Sequence, residues 1–156
     1  MITADVSGSL NSNLDFNALT LTVPPNSLQA GDVIDFHILY ELTKPTTGAT
    51  TFNFWLKNTV GTKIATVSYA LTTQTFTSNS VQFMGKLSIK SIGAGGTCAV
   101  GAYKANYSGG GDTSAFQSGT LSINTTISNT FTLGCHSSWP STLSSVIAKA
   151  GGIKLW

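Results

Sequence analysis

The chain has 156 residues, enough for one domain with a core of its own. Only 9% of it is charged, against a usual share of about a quarter, while 41% is hydrophobic and roughly a quarter is Ser or Thr. The apolar content excludes disorder, and a net charge of +2 from eight scattered lysines without any arginine argues against a nucleic-acid reader.

Thr-rich, charge-poor composition favours strands, because a branched Cβ suits a pleated surface and the long charged helix formers are scarce. Residues 1–18 are polar and read as an N-terminal arm or edge strand. Residues 19–23 alternate Leu-Thr-Leu-Thr-Val, and Pro24-Pro25-Asn26-Ser27 ends that strand. Residues 32–42 are the clearest strand: Ile34, Phe36, Ile38, Tyr40 and Leu42 fall on one face, and Asp35, His37 and Glu41 on the other. After the turn Lys44-Pro45-Thr46-Thr47-Gly48, residues 50–57 place Phe52, Phe54 and Leu56 opposite Thr51, Asn53, Trp55 and Lys57. Asn58-Thr59-Val60-Gly61 closes a hairpin onto residues 63–71, with Ala65, Val67, Tyr69 and Leu71 inward.

A strand over 80–91 is expected to bulge at Met84-Gly85. Residues 97–107 put Ala99, Gly101, Tyr103, Ala105 and Tyr107 on one face. Residues 119–127 and 130–136, joined by a turn at Ser128-Asn129, finish a domain over 19–136. About eight short strands with one apolar face each predict two antiparallel sheets packed face to face, a jelly-roll-like β-sandwich. Residues 137–156 stand apart as a C-terminal arm. Ser141 or Thr142 caps a short helix in it, with Leu143, Val146, Ile147 and Ala150 along one side and Gly151-Gly152 at its end.

Catalytic and metal-binding groupings are hard to assemble from this stock. Asp35 and Glu41 share a strand face but lie roughly 20 Å apart, too far for a glycosidase pair. His37 beside Asp35 is a solvated strand face rather than an oriented base. Cys135-His136 with Cys98 lacks metal-ligand spacing, adjacent strand residues point apart, and both cysteines read as small core hydrophobes. Gly93-Ala94-Gly95-Gly96 and Gly109-Gly110-Gly111 lack the Lys-Ser/Thr of a phosphate loop, and Asp112 alone cannot hold calcium. The sequons at Asn106 and Asn124 read as chance matches. The expectation is therefore a protein without enzymatic activity, metal or cofactor.

Two features point to partners instead. Trp55 lies on the polar face of its strand and is covered by a loop or subunit, or stacks on a sugar. Trp139, Leu143, Val146, Ile147, Ile153, Leu155 and Trp156 make the last segment too apolar for a free tail; it either folds back on its own domain or, as the favoured expectation, forms an arm that reaches a neighbouring subunit or the capsid. No run long enough to span a membrane occurs, and Met1-Ile2-Thr3-Ala4-Asp5 does not read as an export signal, so synthesis in a cytoplasm with reduced thiols is expected.

Residues 19–36 carry a more specific pattern: a short strand, proline, Asn26-Ser27-Leu28, two residues, Gly31-Asp32, then a long alternating strand. This resembles small jelly-roll structural proteins of tailed bacteriophages, including capsid decoration (cement) proteins, head-fibre domains and tail-fibre domains. Pro25 departs from the small residue usual after the first proline. The resemblance implies a virion component without cofactor, often a homotrimer. The expected role is a decoration protein that binds the major capsid protein at the capsid surface. The alternative is a receptor- or carbohydrate-binding module of a fibre or tail.

Overall fold

The computed structural model describes residues 6–7, 14–44, 47–48, 50–59, 61–71, 75–106, 116–137 and 145–156. They form ten strands: β1 (Val6–Ser7), β2 (Leu14–Val23), β3 (Val33–Lys44), β4 (Thr50–Lys57), β5 (Lys63–Leu71), β6 (Phe76–Ser91), β7 (Thr97–Asn106), β8 (Phe116–Ser122), β9 (Asn129–Ser137) and β10 (Ser145–Leu155). Every pairing is antiparallel. One sheet has six strands in the order β1-β10-β3-β6-β7-β8, and the other has four in the order β2-β9-β4-β5. The two pack against each other as a β-sandwich, and among the described residues there is no helix.

Period-two alternation places the core between the sheets. Ile34, Phe36, Ile38, Tyr40 and Leu42 of β3 are buried, as are Phe52, Phe54 and Leu56 of β4 and Phe131, Leu133 and Cys135 of β9. An aromatic cluster bridges the sheets: Tyr40 and Phe54 have ring centroids 4.9 Å apart, Phe52 and Phe54 4.7 Å, and Phe54 and Phe83 5.7 Å. The Tyr40 hydroxyl donates to the Gly134 carbonyl across the core at 3.4 Å.

Several expectations are corrected. Residues 145–155 are neither helix nor free arm: β10 lies inside the six-stranded sheet, hydrogen-bonded to β3 on one side and β1 on the other. A bulge at Lys149 leaves Ile147 and Ala150 three residues apart on the outer side, whereas Val146 points inward, so the three share no single face. The register shift there carries inward positions from Val146 and Ala148 to Gly151, Ile153 and Leu155. Strand pairing thus extends on both sides of 19–136, through β1 and β2 at the start and β10 at the end.

The expected bulge at Met84-Gly85 is also absent, and β6 runs unbroken through both. Glycine is required at 85 for another reason: a Cβ would collide with the Gly101 carbonyl, and would sit 2.5 Å from Cζ of Phe36 and 2.9 Å from Cα of Ala102. In β7 the core-facing set is Cys98, Val100, Ala102 and Lys104, which leaves Ala99, Gly101 and Tyr103 outward. Residues 123–128 are a crossover rather than a hairpin turn, because β8 and β9 belong to different sheets.

One end of the sandwich is closed by loops tied to one another. Asn26, whose φ of 57° suits its short polar side chain, donates its N–H to the Thr125 carbonyl at 2.8 Å. Buried Thr125 accepts the Gly93 N–H on its hydroxyl at 2.7 Å and donates its own N–H to the Gly93 carbonyl at 3.1 Å. The Ile123 N–H reaches the Gly96 carbonyl, and the Thr59 hydroxyl reaches the Ser128 carbonyl. At the same end Trp156 exchanges backbone hydrogen bonds of 2.9 and 3.3 Å with Val33.

Candidate functional site

Register between strands turns the outward residues of the six-stranded sheet into cross-strand rows. Gly152, His37, Met84 and Tyr103 stand opposite one another in sequence across β10, β3, β6 and β7. The next row toward the closed end is Lys154, Asp35, Lys86 and Gly101, and the next away from it is Ala150, Leu39, Gln82 and Ala105. Small residues at 150 and 152 keep the β10 side low, while Trp156 stands at the closed end with 64% of its surface exposed.

A trough results. Its largest hollow, 570 Å³, is lined by Asp35, His37, Gly152, Ile153, Lys154 and Trp156 among others. Hollows of 370 Å³ toward Leu39, Ser80 and Gln82, and of 250 Å³ toward Met84, Lys86 and Tyr103, share His37 with it. Gly152 sets the depth: a Cβ there would lie 3.7 Å from Cε1 of His37, in ordinary contact. Gly151 points inward instead, where a Cβ would be 2.7 Å from the His37 carbonyl oxygen.

Charges on this face are mostly paired. Lys86 Nζ lies 3.2 Å from an Asp35 carboxylate oxygen, and Lys149 Nζ 3.2 Å from one of Glu41. The Lys154 ammonium rests 3.1 Å from the Trp156 ring centroid. His37 is exposed, with its neighbour Asp35 turned to Lys86, so the two do not form an oriented dyad. The face offers an aromatic surface and hydrogen-bonding groups of both kinds along a shallow groove.

The residues singled out as partner-binding are dispersed by the fold. Val146 is fully buried with Ala148, while Ile153 and Leu155 pack against the core from half-buried positions. Ile147 is half-buried in the row of Glu41. Trp156 alone of the described set is broadly exposed. Trp139 and Leu143 lie outside the described residues, as do Asp112 and Gly109-Gly110-Gly111. Trp55 is buried on the outer side of β4, between Gly134 and Thr66, with the Lys63 ammonium 4.0 Å from its ring centroid; sugar stacking there is not available.

Cys98 and Cys135 are free thiols in the core, and burial pushes the Cys98 thiol up from its ordinary value. Among the described residues no three of His, Cys, Asp and Glu converge on a metal site, and no helix is long and apolar enough to cross a membrane.

Sequence reasoning missed the trough. The alternation of β3 had placed Asp35 and His37 on an outer face, but which side chains flank them depends on the registers of β10, β6 and β7. No protein-family model, no curated protein and no solved structure matches the chain.

Proposed function

We propose that the chain is a non-enzymatic structural protein of a phage virion. In this reading it is a decoration protein that binds the major capsid protein on the head surface as a homotrimer and stabilises the shell. Strand order supports the jelly-roll part. Without the β7–β8 hairpin, β1-β10-β3-β6 faces β2-β9-β4-β5, the eight strands that such a fold needs. The segment that carries the phage resemblance, residues 19–36, corresponds to β2, the crossover and the start of β3, where the chain passes between sheets.

The observation that carries a docking role is the outer face of the four-stranded sheet. Among the described side chains it is mostly a field of short uncharged ones, Thr20 and Thr22 on β2, Thr130 and Thr132 on β9, Thr51 and Asn53 on β4, Thr66 and Ser68 on β5, with His136 of β9 beside Asn53. Trp55 is sealed within it, and Lys57 and Lys63 stand at one end. Interface centres are depleted of charge because desolvating an ion costs far more than desolvating a hydroxyl.

The test is co-sedimentation of the purified chain with capsid shells, with shell melting followed by calorimetry. Wild type should bind and raise the shell melting temperature. Thr22→Glu with Ser68→Glu, two charges added to this face, should abolish binding while the chain stays folded. Undiminished binding by that variant refutes the face, and absence of binding by wild type refutes the role. The rival reading, a receptor- or carbohydrate-binding module of a fibre or tail, is favoured by one observation, the trough beside Trp156.

A further inference from the structure

We infer that the trough on the six-stranded sheet is a saccharide-binding site, with Trp156 as its stacking platform and Gly152 as its floor. The inference does not depend on whether the chain sits on a head or a tail, because the trough lies on the sheet opposite the proposed docking face.

Trp156 is held by the sheet. Both of its backbone polar groups are hydrogen-bonded to Val33, so the indole is held at a fixed place on the sheet while 64% exposed. Lys154 holds the ring from one face through the ammonium. A rigid aromatic surface at the end of a groove suits the apolar C–H face of a sugar ring, which gains by stacking without losing much freedom.

Beyond the indole, the carboxylate of Asp35, the imidazole of His37 and, further along, Ser80 and Gln82 offer acceptors and donors for hydroxyl groups. From the position of Trp156, opposite Val33, to Leu39 the trough follows six strand residues, roughly 20 Å, the reach of an oligosaccharide rather than a single ring.

Other occupants fit less well. A strand-forming peptide needs free backbone groups, and β3 is hydrogen-bonded on both sides by β10 and β6 under the whole trough. A polyanion needs a run of unpaired cations, whereas Lys86 is committed to Asp35 and Lys149 to Glu41. A neutral or weakly acidic glycan needs neither.

The test uses isothermal titration calorimetry of the full chain with cellotetraose, chitotetraose, laminaritetraose and mannotetraose at millimolar concentration, beside sedimentation velocity without sugar. At least one tetrasaccharide should bind saturably. Trp156→Ala should weaken that binding about tenfold or more, equivalent to about 1.4 kcal/mol. Gly152→Val, whose side chain suits a strand and fills the hollow, should weaken it similarly without removing any polar group. His37→Ala should weaken it by a smaller factor, and Ile92→Ala, which removes an exposed side chain elsewhere, should leave it unchanged. Circular dichroism melting should be unaltered in every variant used. Failure of all four sugars to bind overturns the inference, as does binding indifferent to Trp156→Ala and His37→Ala. If Gly152→Val instead dissociates an oligomer of the wild-type chain, the trough is a self-contact and the saccharide assignment falls.

Discussion

Deleting Ser145–Trp156 should abolish folding. The deletion removes β10 from between β1 and β3, and with it Val146 and Ala148, both fully buried, and Ile153 and Leu155, packed on the core. Burial of Val146, Ile153 and Leu155 is worth about 1.5–3 kcal/mol per large side chain, somewhat less for the two half-buried ones. That already amounts to a large part of the 5–15 kcal/mol or so that separates folded from unfolded domains. The ladder from Ser145↔Thr43 to Leu155↔Ile34 is lost too, and β3 becomes an unpaired edge. A graded version is Val146→Ala, which removes two carbons from a packed site and should cost about 2 kcal/mol. Urea unfolding followed by near-ultraviolet circular dichroism measures both. A truncated chain that keeps a cooperative transition at the wild-type midpoint would refute the placement of β10 and restore the view of these residues as a dispensable arm.

Phe54→Ala should cost about 3–5 kcal/mol in the same urea assay, because its ring is fully buried against Tyr40, Phe52 and Phe83. Gly85→Ala should destabilise by about 1–3 kcal/mol, since the new methyl meets backbone on β7 as well as the Phe36 ring. Gly95→Ala, which meets nothing within 4 Å, should stay within about 0.5 kcal/mol. Alkaline stability should be limited by Tyr40 and Cys98: burial, with a lesser contribution from Cys135, holds the Tyr40 phenol well above its ordinary 10.0, and burial raises the Cys98 thiol above 9.0. Raised values mean that the folded state keeps its protons longer, so the stabilisation is complete below the ordinary values and lost as pH rises through the folded ones. Tyr40→Phe should therefore unfold at a higher pH than wild type in a fluorescence-monitored base titration; an unchanged midpoint would refute that assignment.

Much of the sandwich was legible because a strand with one buried face writes its register into the sequence. The run from Ile34 to Leu42 and the run from Phe52 to Leu56 each fixed an inward face that the structure keeps. Reading failed where one extra residue broke the alternation. The bulge at Lys149 gave β10 a spacing of three between Ala148 and Gly151, which mimics a helix over so short a stretch. In β7, small residues on both faces left nothing to say that Cys98, Val100 and Ala102 were the inner set. Trp55 obeys the alternation, points outward and is buried there, opposite Gly134 and beneath Lys63, so of its two readings the covered one fits and the sugar-stacking one does not. The trough was illegible in principle, since the row Gly152, His37, Met84, Tyr103 unites four strands whose registers no local pattern states.

Thr125 sets how the two layers can move. Over most of their area the sheets are held together by side-chain packing, which resists separation but not small sliding. At the closed end they are instead joined by directional bonds: Thr125 binds Gly93 from the β6–β7 loop and Asn26 from the β2–β3 crossover, while Thr59 of the β4–β5 turn grips Ser128. Any breathing of the sandwich must then pivot about this end. Backbone amides of Gly93, Thr125 and Asn26 should exchange with solvent deuterium only through global opening. Trp156 is stitched to Val33 beside that pivot, where displacement is least.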